Sequence, residues 1–370
     1  MELVHSIDAH HKKCWSVSAH PTLPLIATAS GDKSAKVFKV GGKYPELGHL
    51  EETHKRSVRT VAFKPPVGGV DEPAQDFFDL PAVAVGSFDS TISVWGIDEP
   101  DTEYDESEMM AHQKEILTST NNQWSLMAII EGHENEVKCV AWNWQGTLLA
   151  SCSRDKTVWI WETDPETLEE FECVSVLNDH SGDVKHVAWH PRQDLLASSS
   201  YDDTIRIYRE DDDDWECVGV LNGHEGTVWC SQFDPRSLGI RLVSVSDDMT
   251  ARIWRTNDEL PDKSGELPSS IRRSAEMEWI EECTLPRAHK YPIYSVAWSK
   301  TSGRIVTAGA DGMLVVYEES DGKWTIVATK EYAHGVYEIN SVTFAEADDG
   351  SEVIASGGDD GKVNVWTLCR

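Results

Sequence analysis

A chain of 370 residues exceeds the usual single-domain length, and 40 % apolar content with 15 tryptophans is ample for a large core. With 64 acidic against 33 basic side chains the formal charge is −31, a field that repels phosphate backbones and anionic lipid, so neither nucleic acid nor membrane is an expected partner. The 8 cysteines stand singly without a C-x-x-C pair, which argues against a disulfide-stapled secreted scaffold and for a reducing compartment, the cytoplasm, with nuclear entry left open.

The N-terminal segment has neither a basic n-region nor an apolar h-region, and no uncharged apolar run is long enough to span a bilayer. Val4–Ala9 reads as a strand standing before the first of a series of repeats. Each repeat has a His, two short apolar runs, an Asp, and an aromatic six positions after that Asp. In chain order these markers are His10, Asp32 and Phe38; His54, Asp89 and Trp95; His133, Asp155 and Trp161; His180, Asp202 and Tyr208; His224, Asp248 and Trp254; His289, Asp311 and Tyr317; and His334, Asp360 and Trp366. Between them lie strand-like runs with Gly, Asp and Ser turns, as in Val137–Trp142, Leu148–Ser151, Val158–Trp161 and Phe171–Leu177.

A four-stranded meander cannot bury both of its faces alone, so such units must stack, and a period near 44 residues is that of a propeller blade. The expected fold is all-β, a seven-bladed WD-repeat β-propeller forming a single domain over 1–370. Only three strands follow His334, so the N-terminal strand should complete the last blade. Loop insertions are expected at 65–81, at 97–123 and at 256–277. The second is strongly acidic from Asp98 to Glu108 and reads as a solvated loop, with a docking element as the alternative.

In the third repeat His133, Ser151, Asp155 and Trp161 resemble a Ser/His/Asp catalytic set, which would make the chain a hydrolase. A hydroxyl precedes the marker Asp by four in most repeats (Thr28, Ser151, Ser198, Ser244, Thr307, Ser356), whereas an active site needs one copy. The expected role is a structural hydrogen-bond network, one member short where the aromatic is Phe38, and no enzyme activity is expected. No H-E-x-x-H or paired-cysteine motif is present, and neither a metal nor a cofactor is expected. Cys139 and Cys152 read as buried small hydrophobes on neighbouring strands.

Loops entering each first strand and loops between second and third strands share one face of a propeller, where the central channel opens. The residues just after each blade's first inward apolar position are Trp15, Arg59, Lys138, Lys185, Trp229, Tyr294 and Asn340. Those just before the marker aspartates are Gly31, Phe88, Arg154, Tyr201, Asp247, Ala310 and Asp359. Arg59, Lys138, Arg154 and Lys185 thus gather on blades 2 to 4, with Phe88, Tyr201, Trp15 and Trp229 beside them. One reading is that these cations only pair with neighbouring acids. The other is a partner-binding site for an acidic, aromatic-bearing segment or a C-terminal carboxylate, with Arg154 as its bidentate anchor.

Several words of the sequence go beyond a generic repeat. They include Ala84 to Thr91 with Phe88, Ile130 to Lys138 with Glu134, Asn135 and Glu136, Cys152 to Lys156, Ser199 to Thr204, His224 to Trp229, and His334 to Asn340. On these the chain resembles the WD-repeat subunit of the cytosolic iron-sulfur protein assembly (CIA) targeting complex. The resemblance implies a non-catalytic scaffold that helps deliver clusters to cytosolic and nuclear apoproteins. Its implied partners are a DUF59-type small subunit, a HEAT-repeat adaptor, an iron-only-hydrogenase-like cluster carrier and client apoproteins. It also makes Arg154 a functional surface residue, and sets Ile207-Tyr208-Arg209 against a Leu-Tyr-Arg tripeptide that engages a cochaperone in some members. The alternative function is a WD-repeat substrate receptor of a ubiquitin ligase or chromatin complex.

Overall fold

The computed structural model describes residues 1–71, 78–98, 106–211, 214–236, 239–256 and 276–368. The described strands pair into seven four-stranded antiparallel sheets. Six of them are simple meanders in chain order, such as Val137–Trp142, Leu148–Ser153, Val158–Thr163 and Phe171–Leu177 of blade 3. The seventh combines Ile339–Glu346, Glu352–Gly358 and Val363–Thr367 with Glu2–Ile7 from the other end of the chain. There Glu2 pairs with Thr367 and Ile7 with Val363, so the first strand closes the ring, as the count of strands required.

First strands line the channel and fourth strands form the outer edge. The second strands are buried from end to end, as in Leu25–Ser30, Ala82–Ser87 and Leu195–Ser200. Their mixture of Leu, Ile or Val with the small residues Ala, Ser, Thr and Gly suits the tight space between blades. A Cβ on Gly86 would stand 2.7 Å from both Thr60 and Val137, so only glycine permits that approach of blades 2 and 3. Each gap between blades holds its own apolar cluster, such as Leu25, Val37, Leu50, Val61 and Phe63 between blades 1 and 2. Cys139 and Cys152 are cross-strand partners within the cluster joining blades 3 and 4, and both are buried.

The marker residues form one network per blade. In blade 3 His133 Nδ1 lies 2.8 Å from Asp155, His133 Nε2 lies 2.8 Å from Ser151 Oγ, and Trp161 Nε1 donates to the same oxygen at 3.0 Å. A carboxylate only accepts, so Nδ1 carries the proton and Nε2 accepts from the serine hydroxyl. Burial alone would raise the Asp155 carboxyl, but the bonds from His133 and Thr157 overrule it and hold it well below the ordinary carboxylate range. Blade 2 lacks a hydroxyl four before its Asp, and Ser93 from the third strand takes the place, bonded to His54 at 2.9 Å and to Trp95 at 2.8 Å. The spacing rule could not reveal this substitute, because it comes from a different strand.

Call the face with the inter-blade loops and the marker aspartates the upper face. All three insertions then emerge on the lower face. The first follows a first strand, and the other two follow third strands. Residues 97–123 are not merely a solvated loop, because helix α1 (Glu106–Leu117) forms within them. Its last turn buries Ile116 and Leu117, the latter against the cluster between blades 1 and 2, and Lys114 pairs with Glu346 of blade 7 at 3.1 Å. The acidic residues Glu99, Asp101, Glu103 and Asp105 lie outside the described residues, as do Phe77, Asp212, Asp213 and residues 257–275 of the third insertion.

Candidate functional site at the upper mouth of the channel

Every first strand carries a register shift at one place. It falls between Cys14 and Ser16, Val58 and Thr60, Val137 and Cys139, Val184 and His186, Val228 and Cys230, Ile293 and Ser295, and Ile339 and Ser341. The residue skipped is in each case the expected rim residue: Trp15, Arg59, Lys138, Lys185, Trp229, Tyr294 and Asn340. A bulge leaves one residue out of the ladder and re-aims its side chain, here toward the channel mouth. The second rim set is held by a matching bond. The backbone N–H of Gly31, Phe88, Arg154, Tyr201, Asp247, Ala310 and Asp359 donates, respectively, to the carbonyl of Lys13, Ser57, Glu136, Asp183, Thr227, Pro292 and Glu338. Each carbonyl belongs to the residue two before a bulge, so the two rim sets are fixed to one another.

The eight candidate residues settle into three groups around the mouth. In the first, Arg59 donates to the Trp15 carbonyl at 2.9 Å with its guanidinium 5.0 Å from the Trp15 ring centre. Burial lowers the pKa of that guanidinium, which is committed to internal contacts. In the second, Lys185 pairs with Asp183 at 3.2 Å and lies 5.4 Å from the Tyr201 ring and 5.3 Å from the Trp229 ring. Trp229 in turn donates to Asp247 and packs edge-on to Tyr294.

The third group centres on a carboxylate. Glu136, 11 % exposed, accepts from Lys138 at 2.7 Å and Arg56 at 2.8 Å, and Arg154 Nη1 lies 3.9 Å away. Burial would raise the Glu136 carboxyl, yet Lys138 and Arg56 hold it below its ordinary value. The Phe88 ring faces two of these cations, Lys138 at 4.3 Å and Arg56 at 5.8 Å. Three cations on one carboxylate leave a net positive site. The Arg154 side chain is 56 % exposed, and its ion pair among the described residues is this long one. Pairing with neighbouring acids therefore accounts for Lys138 and Lys185, while Arg154 keeps donors turned to solvent.

Arg56 and Glu136 were not among the expected site residues. A signal for the acid exists in the words Glu136-Val137-Lys138 and Asp183-Val184-Lys185, where an acid two before the rim lysine reaches it across the bulge. Arg56 has no such signature, because it reaches Glu136 from the neighbouring blade. The His133, Ser151, Asp155 and Trp161 set lies apart from this site. Ser151 is fully buried beneath the turn, its oxygen engaged by both His133 and Trp161. Tyr208 is likewise buried in Ile205–Asp211, a third strand paired on both sides, so Ile207-Tyr208-Arg209 is not presented as a peptide.

Residues 1–39, 124–162, 171–209, 215–255, 281–318 and 325–367 match the family described as WD domain, G-beta repeat. Residues 40–123, which include the first three strands of blade 2 and its two insertions, fall between these matches. The chain is 64 % identical to proteins of Candida dubliniensis and Candida albicans, each covered in full and covering this chain in full. A protein of Penicillium rubens is 38 % identical over 97 % of this chain and 96 % of its own length. All three are named probable cytosolic iron-sulfur protein assembly protein 1.

Proposed function

The chain belongs to the WD-repeat family of cytosolic iron-sulfur protein assembly protein 1, and from that membership we propose that it is a non-catalytic scaffold helping to deliver iron-sulfur clusters to apoproteins. Its partners on this reading are a DUF59-type small subunit, a HEAT-repeat adaptor, an iron-only-hydrogenase-like cluster carrier and the client proteins. The clients are cytosolic and nuclear, and the upper rim is where one acidic, aromatic-bearing segment docks. The observation that carries this is Arg154, an exposed guanidinium whose ion pair among the described residues is 3.9 Å long, beside Phe88 and a Glu136 already shared by two other cations. Such a guanidinium offers a bidentate fork to a carboxylate, and clustered Arg and aromatics are the usual hot-spot mixture.

Co-purification of wild type against Arg154→Glu tests the reading, with captured proteins identified and their cluster content measured by absorbance. The variant should keep its thermal midpoint and lose at least one partner, with affinity reduced about 30-fold or more, the effect of a hot-spot residue. Unchanged capture and unchanged cluster loading would remove the rim from the function. Recovery of cullin or histone-modifying subunits in place of a cluster carrier would instead favour a substrate receptor.

A further inference from the structure

The insertion that leaves blade 2 after Phe63 is tied down at its base and at the tip of its described first part, residues 65–71. At the base the Lys64 ammonium, its side chain 2 % exposed, donates to the Pro65 carbonyl at 3.1 Å and to Asp79 at 3.3 Å. Asp79 also accepts from the Val67 N–H at 2.7 Å, which fixes the first turn of the insertion. The backbone then passes blade 3. Gly69 has φ +92°, and a Cβ on it would lie 3.1 Å from the Trp144 ring and 3.2 Å from the Trp144 carbonyl, so the chain is pressed onto that lower turn.

At the tip, the Asp71 carboxylate meets Arg192 Nε at 3.0 Å and Lys300 Nζ at 2.8 Å. Arg192 lies in the turn between Val184–Trp189 and Leu195–Ser200 of blade 4. Lys300 lies in the equivalent turn of blade 6, between Ile293–Trp298 and Ile305–Gly309. Blades 2, 4 and 6 are alternate members of the ring. A carboxylate tethered to the first and held by the other two therefore bridges lower turns that are not neighbours in the ring.

We propose that residues 65–71 are a latch that closes the lower mouth of the channel, so that the channel opens to partners only at the upper rim. The closure does not depend on what docks at that rim. Its two ends differ in strength for a physical reason. The Lys64–Asp79 pair is buried and hardly screened, whereas Asp71, Arg192 and Lys300 are about half exposed and their pairs weaken as salt rises. The tip is therefore the part that releases, and the base is its hinge.

Hydrogen exchange read by mass spectrometry on the full chain tests this, comparing wild type with Asp71→Ala at about 0.05 M salt and wild type at about 1 M, where the Debye length falls to about 3 Å. In Asp71→Ala, and in wild type at high salt, amides of residues 67–71 and of the lower turns 143–147, 190–194 and 299–303 should exchange about tenfold faster. The upper turns 153–157 and 200–204 should not change, which separates latch release from unfolding. Exchanging the charges, Asp71→Arg with Arg192→Asp and Lys300→Asp, should restore protection. Unaltered lower turns in both the variant and high salt, or an equal rise on both faces, would overturn the proposal.

Discussion

On the upper face seven turns are each locked by the same His and Asp pair, whereas on the lower face the turns range from residues 321–322 in blade 6 to residues 98–123 in blade 2. The upper turns share one hydrogen-bond solution that fixes their length, because the marker aspartate must reach both the His ring and the N–H of the residue two beyond itself. In blade 3 that second bond runs from Thr157 to Asp155 at 2.9 Å. Among the described residues no His and Asp pair spans the lower turns, whose caps, such as His20, His190, Asp234 and Ser299, accept an N–H two residues on within their own turn. Added chain there therefore costs mainly loop-closure entropy, which grows slowly with length. The ring thus keeps a uniform rim for recognition and places its variation on the opposite face.

The largest expected effect comes from removing what both faces share. Deleting residues 1–9 leaves Val363–Thr367 as an unpaired edge and removes the buried Ile7 and Ala9. The loss is on the order of 3–5 kcal/mol, and the thermal midpoint of the whole ring should fall by roughly 5 °C. A midpoint equal to that of the full chain would show that closure adds nothing to either face.

Acid should separate the two faces. His20, in a lower turn, accepts from the Thr22 and Leu23 N–H groups through Nδ1, so it must be neutral, and burial together with the Lys64 charge lowers it to about 3. His190, in the equivalent turn of blade 4, is lowered by burial and by Arg192 to about 4. A folded pKa below the unfolded one means that this stability is complete above about 6.5 and lost as pH falls. The upper-face aspartates behave differently. Although burial raises them, their His and Thr partners depress them further, so their contribution stays whole until pH falls below their unfolded value. Between pH 7 and pH 5 the denaturant midpoint should drop by the equivalent of about 2 kcal/mol for His20, and His20→Gln should abolish that part of the drop. A drop of the same size in His20→Gln would assign it elsewhere.

The smallest effect concerns a defect within the upper face. Blade 1 ends its network on Phe38, which gives Thr28 no indole N–H of the kind that Trp161 gives Ser151. Phe38→Trp should stabilise the ring by about 0.5–1 kcal/mol, read as a higher denaturant midpoint at unchanged slope. No gain would mean that Thr28, which already donates to the Lys36 carbonyl, needs no further partner.

How much of this was legible in the sequence depends on how far apart the partners are. The marker spacings encode one turn each, so the seven blades could be read from the seven marker sets, the closing strand from the three strands after His334, and the blade 3 network from His133, Ser151, Asp155 and Trp161. The rim positions were legible too, since each follows a fixed apolar residue or precedes a marker Asp, although the bulge that turns Lys138 or Lys185 toward the mouth is a feature of strand pairing. Ser93 was not legible, because it replaces a missing hydroxyl from the next strand. Nor was α1, whose acidic beginning masks the two apolar residues, Ile116 and Leu117, that bury its last turn.

The sequence by itself thus determined the repeat, the ring and the address of the rim, because those rest on contacts within a blade, where spacing along the chain is spacing in space. Only the tertiary structure decided that Arg56 of blade 2 reaches Glu136 of blade 3, and that Asp71 joins Arg192 to Lys300. Those contacts cross between blades, and their distances are set by ring closure, which leaves no period in the chain.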